Sequence, residues 1–303
     1  RAETGRIYIM NLDHCNSHSS FKDKVSMSNL CQEITLPTTP ISSIDDSQGE
    51  IALCILSAIN VGQLNNLDDL ENLCELTVRA LEEIIEYQDY PVLAAELSTK
   101  SRRSLGIGYI GLAHYLAKQG HKYHDKGAWD SVDRLSEAFQ FYLLKASNKI
   151  AQEKGACEGF KQTKYADGLL PIDHYKKDVD KIVPHKQRMA WESLRKDIAK
   201  HGLRHSTLSA QMPSESSSVV SNETNGIEPP RALMAIKKSK KGPLKQIAPG
   251  YPKLKNAYTL LWDMPSNEGY INVVAMMQKY FDQAISGNWS YNPTHFENNE
   301  VPL

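Results

Sequence analysis

Ser28-Asn29-Leu30-Cys31-Gln32-Glu33-Ile34 sets an amide, a thiol and a carboxylate at alternate positions. The surrounding Asn29–Leu36 (NLCQEITL) alternates in polarity and stops at Pro37, which predicts a strand or extended loop. In extended chain, alternate side chains share a face. Asn29, Cys31 and Glu33 would then project together, away from Leu30, Gln32 and Ile34. Such a face can orient a hydroxyl, attack or abstract, and accept a proton. The residues alone leave open an ordinary half-exposed strand with an incidental cysteine.

Upstream, Arg6–Leu12 (RIYIMNL) is short and rich in Ile and Tyr and reads as a strand. Downstream of Glu50 the period changes. Ile51, Cys54, Ile55 and Ala58 fall at helical spacing, and Leu67–Tyr87 reads as a longer helix with Asp68, Asp69 and Glu71 near its start. Arg102–Lys118 reads as a helix ended by Gly120. Its Gly106-Ile107-Gly108 lacks the third glycine of a dinucleotide loop and implies close helix packing. Trp129–Lys154 is amphipathic with Gly155 as its stop, and Gln187–Lys200 is a charged surface helix stopped by Gly202. Ser206–Met212 and Leu233–Lys237 are short strand candidates, Tyr258–Asp263 and Glu268–Ser286 are helical, and Trp289–Thr294 is extended. The mix is α/β and helix-rich.

The 303 residues are 41% hydrophobic and 23% charged, with a formal net charge of -1. That suffices for a large core and lacks the basic excess of a nucleic-acid binder. No apolar run approaches the roughly 20 residues needed to cross a bilayer. The first residue is Arg1, no signal peptide follows, and the chain stops at Pro302-Leu303 after a polar loop, so a piece of a longer protein is expected. Five cysteines (Cys15, Cys31, Cys54, Cys74 and Cys157) without CxxC spacing argue against a disulfide framework or a cysteine-based zinc site, and point to a reducing cytoplasm. Cys74, in helical register with Leu70, Leu73 and Val78, reads as core. Cys157 reads as structural, and Asp13-His14-Cys15 with His18 as packing rather than a metal centre.

The polar stretch Pro213–Pro230 has the composition of a linker. Yet Ser214, Glu215, Ser216 and Ser217 follow a short apolar strand and could open a helix through Val219 and Val220. A strand, serine turn and helix N-terminus form a natural seat for a phosphate.

The central segment, together with Ala2-Glu3-Thr4-Gly5-Arg6-Ile7-Tyr8, Asp13-His14-Cys15-Asn16, Tyr87-Gln88-Asp89-Tyr90-Pro91, Arg103-Ser104-Leu105-Gly106-Ile107-Gly108, Tyr142-Leu143-Leu144-Lys145-Ala146-Ser147, Met212-Pro213-Ser214-Glu215-Ser216-Ser217 and Asn225-Gly226-Ile227-Glu228-Pro229-Pro230-Arg231, resembles the class I ribonucleotide reductase large (catalytic) subunit of the phage and enterobacterial type. The likeness is collinear over essentially the whole chain. It implies that residues 1–303 supply mainly the second half of a ten-stranded α/β barrel, with the radical cysteine on a central loop. It implies that Cys31 becomes a thiyl radical and removes the 3′-hydrogen of a ribonucleoside diphosphate. Glu33 would take the 3′-hydroxyl proton, Asn29 hold the ribose hydroxyls, Cys54 form a disulfide with a second cysteine, and Ser214, Glu215, Ser216 and Ser217 bind the diphosphate.

The same resemblance implies that nothing is bound directly as a cofactor and no metal is held. A di-iron small subunit would supply the radical, and thioredoxin or glutaredoxin the electrons. Neither nucleic acid nor membrane is an expected partner. The partner cysteine of Cys54, the allosteric specificity site and any ATP-binding activity domain would lie upstream, and the radical-relay tyrosine pair and re-reducing cysteine pair beyond Leu303. Two alternatives stand beside a reductase piece: an inactive fragment that only pairs with the complementary half-barrel, and a thiol hydrolase or transferase with Cys31 as nucleophile and His14 or His18 as base.

Overall fold

Ile55–Asn60 forms strand β1 and Leu105–Ile110 forms strand β2 in the computed structural model, which describes residues 8–239 and 242–290. The two strands run parallel, in register from Ile55–Leu105 to Asn60–Ile110. Both assignments correct the helices expected over Ile51–Ala58 and Arg102–Lys118. Short apolar runs fit either period, and a neighbouring strand decides between them. All six β2 residues are buried, as in a parallel strand covered on both faces.

Two more extended segments continue the array. Thr207 O and Leu208 O accept from the Leu105 and Ile107 amides at 3.1 and 2.8 Å, and Ile107 O accepts from Ala210 N at 3.2 Å. Ile107–Ser209 and Gln211–Ile285 form parallel bridges. Residues 207–211 thus lie beside β2, and residues 283–286 lie beside them. The expected strand at Ser206–Met212 is present as this third segment. The four parallel segments follow in chain order and form an open array. Among the described residues they do not close into a barrel.

Helices make the crossovers that parallel strands require. Asp69–Tyr87 (α2) and Leu93–Arg102 (α3) join β1 to β2. Leu112–Lys118 (α4), Lys126–Lys154 (α5), Pro171–His174 (α6) and Trp191–His201 (α7) lead from β2 to the third segment. Glu215–Val220 (α8), the antiparallel hairpin Met234–Ser239 (β3) with Gly242–Ile247 (β4), and Glu268–Gln278 (α9) lead to the fourth. The split of the expected Arg102–Lys118 helix falls at Gly111, whose φ of 81° a side chain would strain. α2 buries Leu70, Cys74, Val78, Leu81 and Ile85 in one stripe against α5. Tyr109 of β2, Phe139 of α5 and Phe281 just beyond α9 pack ring to ring with centroids 5.3 to 5.7 Å apart. That trio ties strand, long helix and fourth segment into one core.

Several boundaries differ from expectation. The strand read over Arg6–Leu12 lies partly outside the described residues, and Leu12 begins a short helix, α1 (Leu12–His18). Tyr258–Asp263 is helical only as a 3-10 turn at Leu261–Asp263, and α9 ends at Gln278, well before Ser286. Residues 291–294 lie outside the described residues. Pro213–Pro230 is not a linker, because α8 and its flanks are packed into the molecule.

A buried ion cluster joins α2 to β2 and the third segment. The Glu82 carboxylate, 1% exposed, accepts from Arg103, Arg204 and His205 at 2.9, 2.8 and 3.1 Å. Burial alone would push Glu82 up, but the His205 and Arg204 donations and nearby positive charge hold it at about 2. A depressed carboxylate contributes stability above its unfolded pKa and loses it as pH falls through the folded value. The chain is therefore expected to lose roughly 3 kcal/mol between about pH 4.5 and pH 2. Glu82→Gln should flatten that limb of the stability–pH curve in urea titrations.

Candidate active site

The Asn29–Glu33 stretch is not a strand. Gln32 N donates to Asn29 O at 3.2 Å, closing a turn, and Gln32 sits at φ 65°. The turn nevertheless unites the predicted groups. Asn29 Nδ2 donates to Glu33 Oε1 at 2.9 Å, and Asn29 Oδ1 accepts from Ile34 N at 3.2 Å. The Ser28 hydroxyl donates to Ile34 O at 2.7 Å and locks the base of the loop. Glu33 is 2% exposed, and its Oε2 is buried with no hydrogen-bond partner among the described residues. An ionisable oxygen left bare costs free energy unless a ligand group meets it.

Cys31 is half-buried beside this carboxylate. Burial pushes its thiol up, and the Glu33 charge pushes it further. Cys54 precedes β1 and is also half-buried. Burial drives its thiol far up, the Gln283 carboxamide draws it back, and the Asp282 and Glu33 charges add to the rise. One carboxylate thus acts on both thiols. Cys54 Sγ also lies so close to β2 that a Cβ added at Gly106 would come within 2.8 Å of it. The Gly106 motif marks close packing as expected, but of a strand rather than a helix.

The loop is hung on the fourth segment. Ala284 N donates to Glu33 O at 3.1 Å, and Thr35 N donates to Gln283 Oε1 at 3.2 Å. Gln211 N in turn donates to Ala284 O at 3.1 Å. One peptide unit at Ala284 therefore links the Glu33 loop to the strand that leads into the serine turn. Ser214 is buried at the start of α8, and its hydroxyl donates to Met212 O at 3.1 Å. Ser217 donates to Ser214 O at 3.2 Å. Glu215, Ser216 and Ser217 are exposed in the first helical turn, where backbone amides lack intrahelical acceptors.

The remaining cysteines take no part in this arrangement. Cys74 and Cys157 are buried, and His18 binds Phe281 O at 2.8 Å. Among the described residues no histidine hydrogen-bonds Cys31, and no group of three or more His, Cys, Asp and Glu is placed to hold a metal ion.

Comparison with known proteins adds the family. A family model described as ribonucleotide reductase, barrel domain, matches residues 1–256. The chain belongs to the ribonucleotide reductase barrel family. It is 57% identical to the ribonucleoside-diphosphate reductase subunit alpha of Haemophilus influenzae and 55% identical to the ribonucleoside-diphosphate reductase 1 subunit alpha of Escherichia coli. It is 41% identical to the alpha subunit of enterobacteria phage T4. Each match takes in all of this chain but 40% of the relative. The helix-rich mixed α/β structure fits a barrel-domain family.

Two residues that sequence reading passed over complete the scaffold. Asp282 is fully buried and accepts from the Leu208 and Ser209 amides, the Thr207 and Ser209 hydroxyls, Tyr165 and Gln140. Gln283 contacts Cys54 itself, with Nε2 3.8 Å from Sγ. Neither carries a local motif. Their side-chain partners lie 73 to 248 positions away along the chain.

Proposed function

We propose that this chain forms mainly the second half of the ten-stranded catalytic barrel of a class I ribonucleoside-diphosphate reductase and holds the hydrogen-abstracting cysteine, Cys31, on the loop at its centre. The observation that carries the reading is a half-buried thiol beside a buried carboxylate with one unpartnered oxygen. A nucleophilic cysteine needs its pKa lowered by a histidine, a cation or a helix N-terminus. Here burial and the Glu33 charge both act the other way on the Cys31 thiol, which counts against the hydrolase reading and favours hydrogen-atom chemistry.

In the proposed reaction the Cys31 thiyl takes the 3′-hydrogen of the substrate and becomes a thiol. Glu33, through its free Oε2, accepts the 3′-hydroxyl proton, and the 2′-hydroxyl takes a proton from the Cys54 dithiol and leaves as water. Asn29, fixed by Glu33 and Ile34, holds the ribose edge. Cys54 and a second cysteine elsewhere in the subunit give up two electrons and two protons and become a disulfide, after which Cys31 returns its hydrogen to C3′ and Glu33 its proton to the 3′-oxygen. Ser214, Glu215, Ser216 and Ser217 receive the diphosphate, anchoring the far end of the substrate before the radical forms. The radical would come from a di-iron small subunit, and thioredoxin or glutaredoxin would restore the dithiol. The open array of parallel segments supports a partner half-barrel completing the wall. The setting would be the cytoplasm, which keeps the thiols reduced.

Binding tests this reading on the chain itself. A ribonucleoside diphosphate at ten times its Kd should stabilise the chain by about 1.4 kcal/mol, raising Tm by roughly 3 °C. Ser214→Ala with Ser217→Ala should remove most of that rise. No shift at saturating nucleotide in the wild-type chain would favour the inactive-fragment reading.

A further inference from the structure

We infer that Gln283 is a positioning residue for the Cys54 thiol, fixing its aim through a hydrogen bond from its carboxamide. The inference rests on the reading of Cys54 as a redox thiol. The carboxamide has one orientation available. Its Oε1 accepts from Thr35 N at 3.2 Å, and its Nε2 donates to Leu105 O at 2.9 Å. Flipping the group would set oxygen against the Leu105 carbonyl and nitrogen against the Thr35 amide, losing both bonds. The Nε2 group carries two hydrogens. One is used by Leu105 O, and the other faces Cys54 Sγ at 3.8 Å.

A single side chain therefore joins the Glu33 loop, strand β2 and the thiol. Gln283 is 3% exposed, so water does not compete for the bond. The charged groups that act on Cys54 are Glu33 and Asp282, and both disfavour a thiolate. Among the described residues, Gln283 supplies the one donation that favours it. Thiol–disulfide chemistry runs through the thiolate, so this donation sets how readily Cys54 attacks or leaves when its disulfide is remade.

The sign of one measurement separates positioning from mere support. Alkylation of Cys54 by iodoacetamide is followed by peptide mass spectrometry across pH 7–10, on the full chain. Gln283→Met removes the donor at similar size. Gln283→Glu keeps an acceptor for Thr35 N while placing a carboxylate where the donor was. Loss of the donation should raise the apparent Cys54 pKa by about one unit, slowing alkylation at pH 8 about tenfold, with the Glu variant slower still. A purely structural role predicts the reverse, because loosening the site exposes the thiol and speeds alkylation. Unchanged or faster alkylation in both variants, or the rate of the urea-unfolded chain, overturns the inference. The redox reading fails separately, if Cys54→Ser retains nucleotide reduction in the reconstituted enzyme.

Discussion

Cys31→Ser is expected to abolish deoxyribonucleotide formation when the chain is assembled with the rest of the subunit and its radical-generating partner. The expected loss is at least roughly 10⁴-fold, the scale at which a reaction-specific group has been removed rather than weakened. The alcohol O–H bond is too strong for a seryl oxygen to form readily from a relayed radical, so the abstracting species is lost. Binding should survive. Asn29 and Glu33 are held by each other and by Ile34, without help from the Cys31 sulfur. The side chain is only half-buried and the exchange is nearly isosteric, so Tm should stay within about 1 °C. Product formation by single-turnover assay and Tm by calorimetry read both halves. Retained turnover would remove Cys31 from the chemistry, whatever becomes of the fold.

The juxtaposition of Asn29, Cys31 and Glu33 was legible because they are sequence neighbours, while the roles proposed for them came from the family resemblance. The means by which they meet was not legible. An extended segment would put Asn29 and Glu33 on one face but about 13 Å apart, and the turn with Gln32 at positive φ, a conformation glutamine rarely takes, closes that gap to a hydrogen bond. α2 and α5 were legible because long amphipathic repeats are unambiguous, as the buried stripe from Leu70 to Ile85 shows. β1 and β2 were not, because a short, mostly apolar run of six residues fits a buried helix turn as well as a parallel strand. Gln283 and Asp282 were invisible for a different reason. Their roles arise from contacts made across most of the chain, and nothing local to Tyr280–Ala284 marks them.

Asp133→Ala should be the most destabilising single change away from the site, at about 3–5 kcal/mol. Asp133 is fully buried on α5. It faces Lys279 Nζ at 3.3 Å, accepts from the Tyr280 hydroxyl at 3.1 Å, and accepts from Arg188 at 2.7 Å. Lys279 is 1% exposed and has Asp180 at 3.1 Å as its other anion. Removing Asp133 strips one counter-charge from a lysine that water cannot reach. Replacing both partners with apolar residues, Asp133→Leu with Lys279→Met, leaves no unmatched charge at that pair and should recover much of the loss. Urea unfolding of the single and double variants measures the difference.

The consequence reaches the site through chain continuity. Lys279 directly follows α9 and precedes Asp282, Gln283 and Ala284, which hold the third segment, the Cys54 thiol and the Glu33 carbonyl in turn. If that ion pair anchors the whole run, Asp133→Ala should also speed Cys54 alkylation by admitting water. The apolar pair should restore the wild-type rate. Destabilisation without a change at Cys54 would mean that Asp282 alone holds the fourth segment in place.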